Sequence, residues 1–166
     1  MKPDNQYKLI SLVAFAEPIE PDFTNMSLEF DVFAGHNIMG TASGMQIKLY
    51  ACTLLDLHKD SDPISLGRHV ASILAHEFRH TQQYADDTLP QVQPSAQQLG
   101  LGIYPAGYSD QAYNTDPGEQ DANAYASLAS MQLPDRQCYL LYRLTRFIAS
   151  LQYKDWFPFI LNRWGC

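Results

Sequence analysis

The sequence has little positive charge, few cysteines and no apolar run long enough for a membrane span. Eleven Lys and Arg stand against eighteen Asp and Glu, a formal net charge of −7 over 166 residues. No basic run or basic amphipathic helix interrupts this balance. Nothing therefore draws the chain to phosphate backbones or anionic lipid, and neither nucleic acid nor membrane is expected as a partner. The cysteines, Cys52, Cys138 and Cys166, are odd in number and widely spaced, and they form no C-x-x-C pair. That pattern points to free thiols in a reducing compartment rather than to a disulfide framework. No apolar stretch approaches the ~20 residues that cross a bilayer. Met1–Gln6 lacks a signal-peptide pattern, and the apolar run Leu9–Ala16 is too short to supply one. A cytoplasmic location is expected, although leaderless export would leave no mark. Internal repeats and low-complexity segments are also missing.

What is present reads as globular. The apolar fraction is 46% and the charged fraction 17%, a composition that can bury a core without disulfides or a structural metal. The length fits a single domain spanning residues 1–166. The first sixty residues carry strand signals. Lys8–Ala16 is rich in β-forming residues, and Ser27–Ala34 alternates with Leu28, Phe30, Val32 and Ala34 on one face. Gly35-His36-Asn37 follows as a turn, and Met45–Leu57 reads as a further strand. A small, mostly antiparallel sheet of three or four strands is expected.

Helical signals follow. Asp60-Ser61-Asp62-Pro63 breaks the strand pattern, and Val70, Ile73, Leu74 and Phe78 recur at helical spacing from about Ser65 to Ala85. The pattern stops between Asp86 and Thr115, a stretch longer than most connections in compact domains. Asp116-Pro117 then marks a second helix, with an N-cap residue followed by proline at the first helical position. It should end before Pro134. Asp135 caps a third helix, whose apolar face is Leu140, Leu141, Leu144, Phe147, Ile148 and Leu151. The tail from Trp156 to Trp164 is aromatic enough to pack on a core. The fold class expected is α+β: a small sheet, then three helices.

The chemistry concentrates in His76-Glu77-Phe78-Arg79-His80. Residues four apart on a helix lie one turn apart on the same face. Two imidazoles so placed can converge on one tetrahedral Zn²⁺ at ~2.0–2.1 Å. The glutamate beside the first histidine stands near the metal without ligating it, where it can take a proton from an activated water. With this composition the pattern would arise by chance with a probability on the order of half a per cent. The alternative is a surface helix with two solvated histidines. His69 shares the stripe but lies about 10 Å further along the axis, too far to share the ion. It is read as structural or as lining a rim. His36 and His58 fall in the strand region and are read as non-ligands.

A catalytic zinc has a third protein ligand and an open position. Glu119 and Asp121 are the nearest acidic residues on the second helix, about 200° apart in projection. The Glu119 face also carries Ala122, Asn123, Ala126 and Ser130, small or polar residues that permit close approach of another helix. The Asp121 face carries Tyr125 and Leu128. Glu119 is therefore the ligand expected, although Asp116-x-x-Glu119 also has the spacing of a capping box. Asn123, one turn further on, is placed to accept the spare N–H of a ligating histidine.

His76-Glu77-x-x-His80 followed by Glu119-x-x-Ala122-Asn123 resembles the zinc signature of the gluzincins, the thermolysin-like clan of metallopeptidases. The segment Glu119–Ala126, running on to Leu133-Pro134, is similar to the second motif of ImmA-type intracellular metallopeptidases. The resemblance covers about thirteen motif residues and an order of elements over roughly residues 40–150. It implies a zincin-like fold, zinc at His76, His80 and Glu119, a general base at Glu77, and a peptide or protein substrate. The long stretch between the motifs departs from thermolysin, and so does the missing large second half, which leaves the oxyanion donor open. Tyr104, Tyr108 and Tyr113 precede the glutamate helix, and Tyr113 is the choice among them against ordinary aromatic packing. On the peptidase reading, an extended substrate pairs along an edge strand from Met45 to Tyr50. The alternative is a silent metal-binding scaffold serving as an interaction or regulatory module. A self-inhibited form, in which the Cys166 thiolate fills the open zinc position, is a variant of it.

Overall fold

The computed structural model describes residues 27–31, 38–92 and 110–152. The expected strand Lys8–Ala16, residues Val32 to Asn37 with His36, residues Tyr104 and Tyr108, and the aromatic tail with Cys166 lie outside the described residues. Those described form an α+β arrangement in the order β1 (Ser27–Asp31), β2 (Gly40–Ser43), β3 (Gln46–Tyr50), α1 (Ala51–Leu57), α2 (Pro63–Ala85), α3 (Asp110–Thr115), α4 (Pro117–Gln132) and α5 (Asp135–Gln152).

The sheet differs from expectation in two respects. Its order is β1-β3-β2, with β3 antiparallel to β2 but parallel to β1. The strand expected at an edge, β3, is thus flanked on both sides, and β1 and β2 are the outer strands among the described residues. β2 has the sequence Gly-Thr-Ala-Ser, which contains one β-forming residue and carries almost no strand signal. The β2–β3 hairpin turns at Gly44 and Met45. Gly44 has φ of +56°, the positive value that such tight turns require and that glycine adopts without steric cost.

The apolar run after Tyr50 is helix α1 rather than a continuation of the strand. A short apolar run does not declare its period, and the burial of Ala51, Cys52, Thr53 and Leu54 against the rest of the molecule decides it. Helix α2 begins two residues earlier than the periodicity suggested, because Asp62 caps it. The Asp62 side chain accepts from the backbone N–H groups of Ile64 and Ser65 at 3.0 and 3.1 Å, and Pro63 fills the first position.

Helix α2 is the axis of the molecule, packing most extensively on α4 and α5. Its buried stripe of Leu66, Val70, Leu74 and Phe78 meets Ile47 and Leu49 of β3, Ala126 and Ala129 of α4, and Cys138 and Leu141 of α5. Each such large side chain contributes about 1.5–3 kcal/mol on burial. The Arg68 guanidinium closes the far end, donating to the carbonyls of Ser130 and Leu133 and pairing with Asp135 at 2.7 Å. Asp135 is therefore part of the first turn of α5 rather than its cap. Pro134 occupies that place, its carbonyl accepting from Gln137 and Cys138. The buried face of α5 is Cys138, Leu141, Thr145 and Ala149. Leu140 and Phe147, expected in the core, are 53% and 58% exposed.

Part of the stretch expected to lack pattern is helical. Helix α3 ends where the Asp116 N–H bonds the Tyr113 carbonyl, and Asp116 at once caps α4. Tyr113 is thereby held next to the first turn of α4. Among the described residues, no helix is long and apolar enough to cross a membrane.

Candidate metal centre

His76 and His80 project from one face of α2 with Nε2 atoms 2.9 Å apart and rings at 87° to one another. Glu119 reaches them from the first turn of α4. The Asp116 side chain accepts from the N–H groups of Gly118 and Glu119 at 2.8 and 3.2 Å, which fixes that turn, and the Asp116 N–H, which a capping-box glutamate would accept from, donates instead to the Tyr113 carbonyl. Glu119 Oε2 lies 3.2 Å from His76 Nε2 and 3.4 Å from His80 Nε2.

The three donor atoms fit a metal ion. All lie within 4.8 Å of one another, and the 2.9–3.4 Å separations are close to the ~3.4 Å edges of a tetrahedron whose metal–ligand bonds are ~2.0–2.1 Å. Glu119 Oε2 is fully buried and has no aligned hydrogen bond despite the two nearby nitrogens. A buried carboxylate oxygen facing two imidazole nitrogens off the hydrogen-bonding direction is suited to a cation held among them. His76, His80 and Glu119 could therefore hold a metal ion.

Electrostatics bind the trio even without one. Burial is the largest influence on Glu119 and would raise its pKa, but the close approach and charge of the His76 and His80 imidazoles outweigh it and bring the carboxyl to about 2. Burial likewise pushes His80 down. The Glu119 carboxylate close to its Nε2, the charges of Glu77 and Glu119, and the Gln83 contact outweigh it and lift the imidazole to about 9.

Glu77 is buried beside the two histidines. Burial raises its pKa above the ordinary carboxylate value, the nearby histidines pull it back and Glu119 adds to the rise. Strand β2 lies directly over it. A Cβ on Gly40 would come within 2.9 Å of Glu77 Cγ and Oε1 and 2.8 Å of Ile73 Cγ2, so only glycine lets the strand pass this close. The Tyr113 hydroxyl stands 3.4 Å from His76 Nε2. A second phenol, the exposed Tyr84, follows one turn beyond His80 on α2. Its pKa is raised by burial and then by the charges of Glu77 and Glu119.

The partner of the His80 ring is not Asn123, which is exposed. Gln83 takes that place, with Oε1 2.8 Å from His80 Nδ1. Asp121 turns to Arg79, at 2.7 and 3.2 Å, which holds its carboxyl below the ordinary range against the opposing effect of burial. His69 stands apart from the centre and packs on His58, ring centroids 3.8 Å apart. His58 belongs to the C-terminal end of α1 and not to a strand, and burial lowers both imidazoles.

Gly40, Gln83 and Tyr84 went unread in the sequence. Gln83 and Tyr84 had a signal there: three and four positions after His80, they share its side of the helix. Comparison of the chain with protein-family models, with curated proteins and with solved structures finds no match.

Proposed function

We propose that this protein is a zinc-dependent metallopeptidase of gluzincin type. The observation that carries the reading is the convergence of His76 Nε2, His80 Nε2 and Glu119 Oε2 on one buried point, with the Glu77 carboxylate beside it. Two imidazoles and a carboxylate are a donor set that suits zinc and leaves a coordination position open. Zinc, when bound, supplies Lewis acidity, polarising a carbonyl and lowering the pKa of water to ~7.

The chain's own residues account for the rest. Glu77, whose pKa burial raises above the ordinary carboxylate value, is a stronger base than an exposed carboxylate: it accepts a proton from the attacking water and returns it to the leaving amine. Tyr113 donates its hydroxyl hydrogen bond to the oxygen that gains charge as the carbonyl is attacked. Strand β2, an outer strand of the sheet among the described residues, offers main-chain groups to an extended peptide directly above Glu77. Its place over Glu77, set by Gly40, supports β2 rather than β3 in that role.

Two measurements test this. Protein purified without added metal should carry close to one zinc per chain, and His80→Ala should carry none. Absence of metal from the wild type would end the metal reading. Against a diverse peptide library, Glu77→Gln should cut turnover by about 10²–10⁴ while keeping its zinc. Equal rates for wild type and variant would remove the peptidase assignment and leave a metal-binding scaffold.

A further inference from the structure

We propose that Gln83 is the positioning residue of the metal centre, tying His80 and Glu119 into one geometry through a single side-chain amide. This rests on the metal reading above. Gln83 is 1% exposed, so its amide must find its partners inside the protein. Its Nε2 lies 2.9 Å from the Gly118 carbonyl oxygen and 2.9 Å from Asp121 Oδ2. A carbonyl and an ionised carboxylate only accept, so both contacts require the NH₂ end of the amide there. The orientation of the amide is thereby fixed, and Oε1 must face His80 Nδ1, 2.8 Å away.

An amide oxygen is also only an acceptor. The bond therefore needs a proton on His80 Nδ1, which in the neutral ring leaves the lone pair on Nε2, the nitrogen aimed at His76 and Glu119. At its other end the same amide holds the backbone carbonyl immediately before Glu119. A shift of α4 along α2 would break the Gly118 bond and turn the amide away from His80. Both ligand positions thus depend on one side chain.

Asp121 is in turn fixed by Arg79, which also donates to Gln82 Oε1 at 3.1 Å and lies over the Tyr125 ring, 5.3 Å from its centroid. Arg79 and Gln83 are one turn apart on α2, and Gly118 and Asp121 one turn apart on α4. The pairing of Arg79-x-x-x-Gln83 with Gly118-x-x-Asp121 is therefore a helix-to-helix lock whose inner end is a metal ligand.

The test uses Gln83→Met, of similar length without hydrogen-bonding groups, and Gln83→Glu, which keeps an acceptor for His80 but loses the donors to Gly118 and Asp121. Competition with a chromophoric chelator should show zinc held about 10- to 100-fold more weakly by Gln83→Met. Long-range ¹H–¹⁵N imidazole spectra of metal-free protein at about pH 10, where the ring is neutral and no ion holds Nε2, should place the His80 proton on Nδ1 in the wild type. That preference should persist in Gln83→Glu and disappear in Gln83→Met. A control, Arg68→Ala, breaks the lock at the other end of α4 and should lower the melting temperature without changing zinc affinity. Wild-type affinity in Gln83→Met, or a wild-type His80 proton on Nε2, overturns the proposal. If the wild type takes up no zinc, the metal reading fails, and the metal-free spectra still decide whether Gln83 sets the ring. If Gln83→Met does not fold, the wild-type and Gln83→Glu spectra decide it alone.

Discussion

Glu119 and His80 stabilise one another in opposite halves of the pH range, and the sign of each effect follows from its shift. The Glu119 pKa falls from an ordinary 4.5 to about 2, so its contribution is complete above pH 4.5 and is lost as pH falls toward 2. The His80 pKa rises from 6.5 to about 9, so its contribution is complete below pH 6.5 and is lost as pH rises through 9. Glu77, shifted upward by burial, favours the fold below its ordinary value of 4.5 and withdraws that support as pH climbs past its raised value. In metal-free protein the His80–Glu119 pair should therefore be worth most between about pH 4.5 and 6.5. Replacing His80 with alanine should flatten the alkaline limb of a urea-denaturation series run from pH 5 to 10. An alkaline limb that keeps its slope would show that the imidazole is not held in this way. Metal uptake must displace the same proton, so zinc affinity should fall as the solution is acidified.

Among the elements, the close approach of α2 to α5 reverses a general rule. Glycine inside a helix usually costs about 1 kcal/mol against alanine, so Gly67→Ala should stabilise on propensity alone. Here a Cβ at residue 67 would collide with the backbone carbonyl of Cys138, and a backbone cannot step aside as a side-chain end can. Gly67→Ala should destabilise by roughly 1–3 kcal/mol, read from the urea midpoint. A more stable variant would mean that the two helices can separate at no cost. The two helix caps provide a contrast. Asp116→Ala should cost about 1 kcal/mol and also loosen the turn that carries Glu119, weakening zinc binding. Asp62→Ala, at the exposed start of α2, should lower the melting temperature and leave zinc affinity as it was. These helices were legible because their starts are written locally, as Asp62-Pro63 and Asp116-Pro117. α1 and β2 were not. The run Ala51–Leu57 has no clear period, and Gly40–Ser43 forms a strand only because β3 lies beside it.

For the molecule as a whole, the centre sits between two helices that the core already holds together, so a metal ion should add stability without creating the fold. Zinc at a hundredfold excess over its dissociation constant adds about 2.7 kcal/mol, or roughly 5–10 °C in melting temperature for a domain of this size. Thermal unfolding with zinc and with chelator should differ by that amount, and His80→Ala should show no difference. Collapse of the chelated protein at room temperature would mean that the metal is structural. The ligand trio could be read from the sequence because helical spacing and facing are geometric consequences of the chain itself. The spacing of Gln83 from His80 was legible, but its bonds to Gly118 and Asp121 and the place of Gly40 over Glu77 arise from what another helix and the strand bring together, and the sequence does not write that down. His80 and Glu119 are thirty-nine positions apart along the chain, yet their side chains meet. An ion held by both acts as a cross-link that closes the intervening chain into a loop. The entropy of such closure changes slowly with length, by only about 0.6 kcal/mol for each doubling. The chain between the two helices can therefore lengthen or shorten widely at little energetic cost to the centre. Its last segment is the exception: α3 must keep its place, because it sets the Tyr113 hydroxyl 3.4 Å from His76 Nε2.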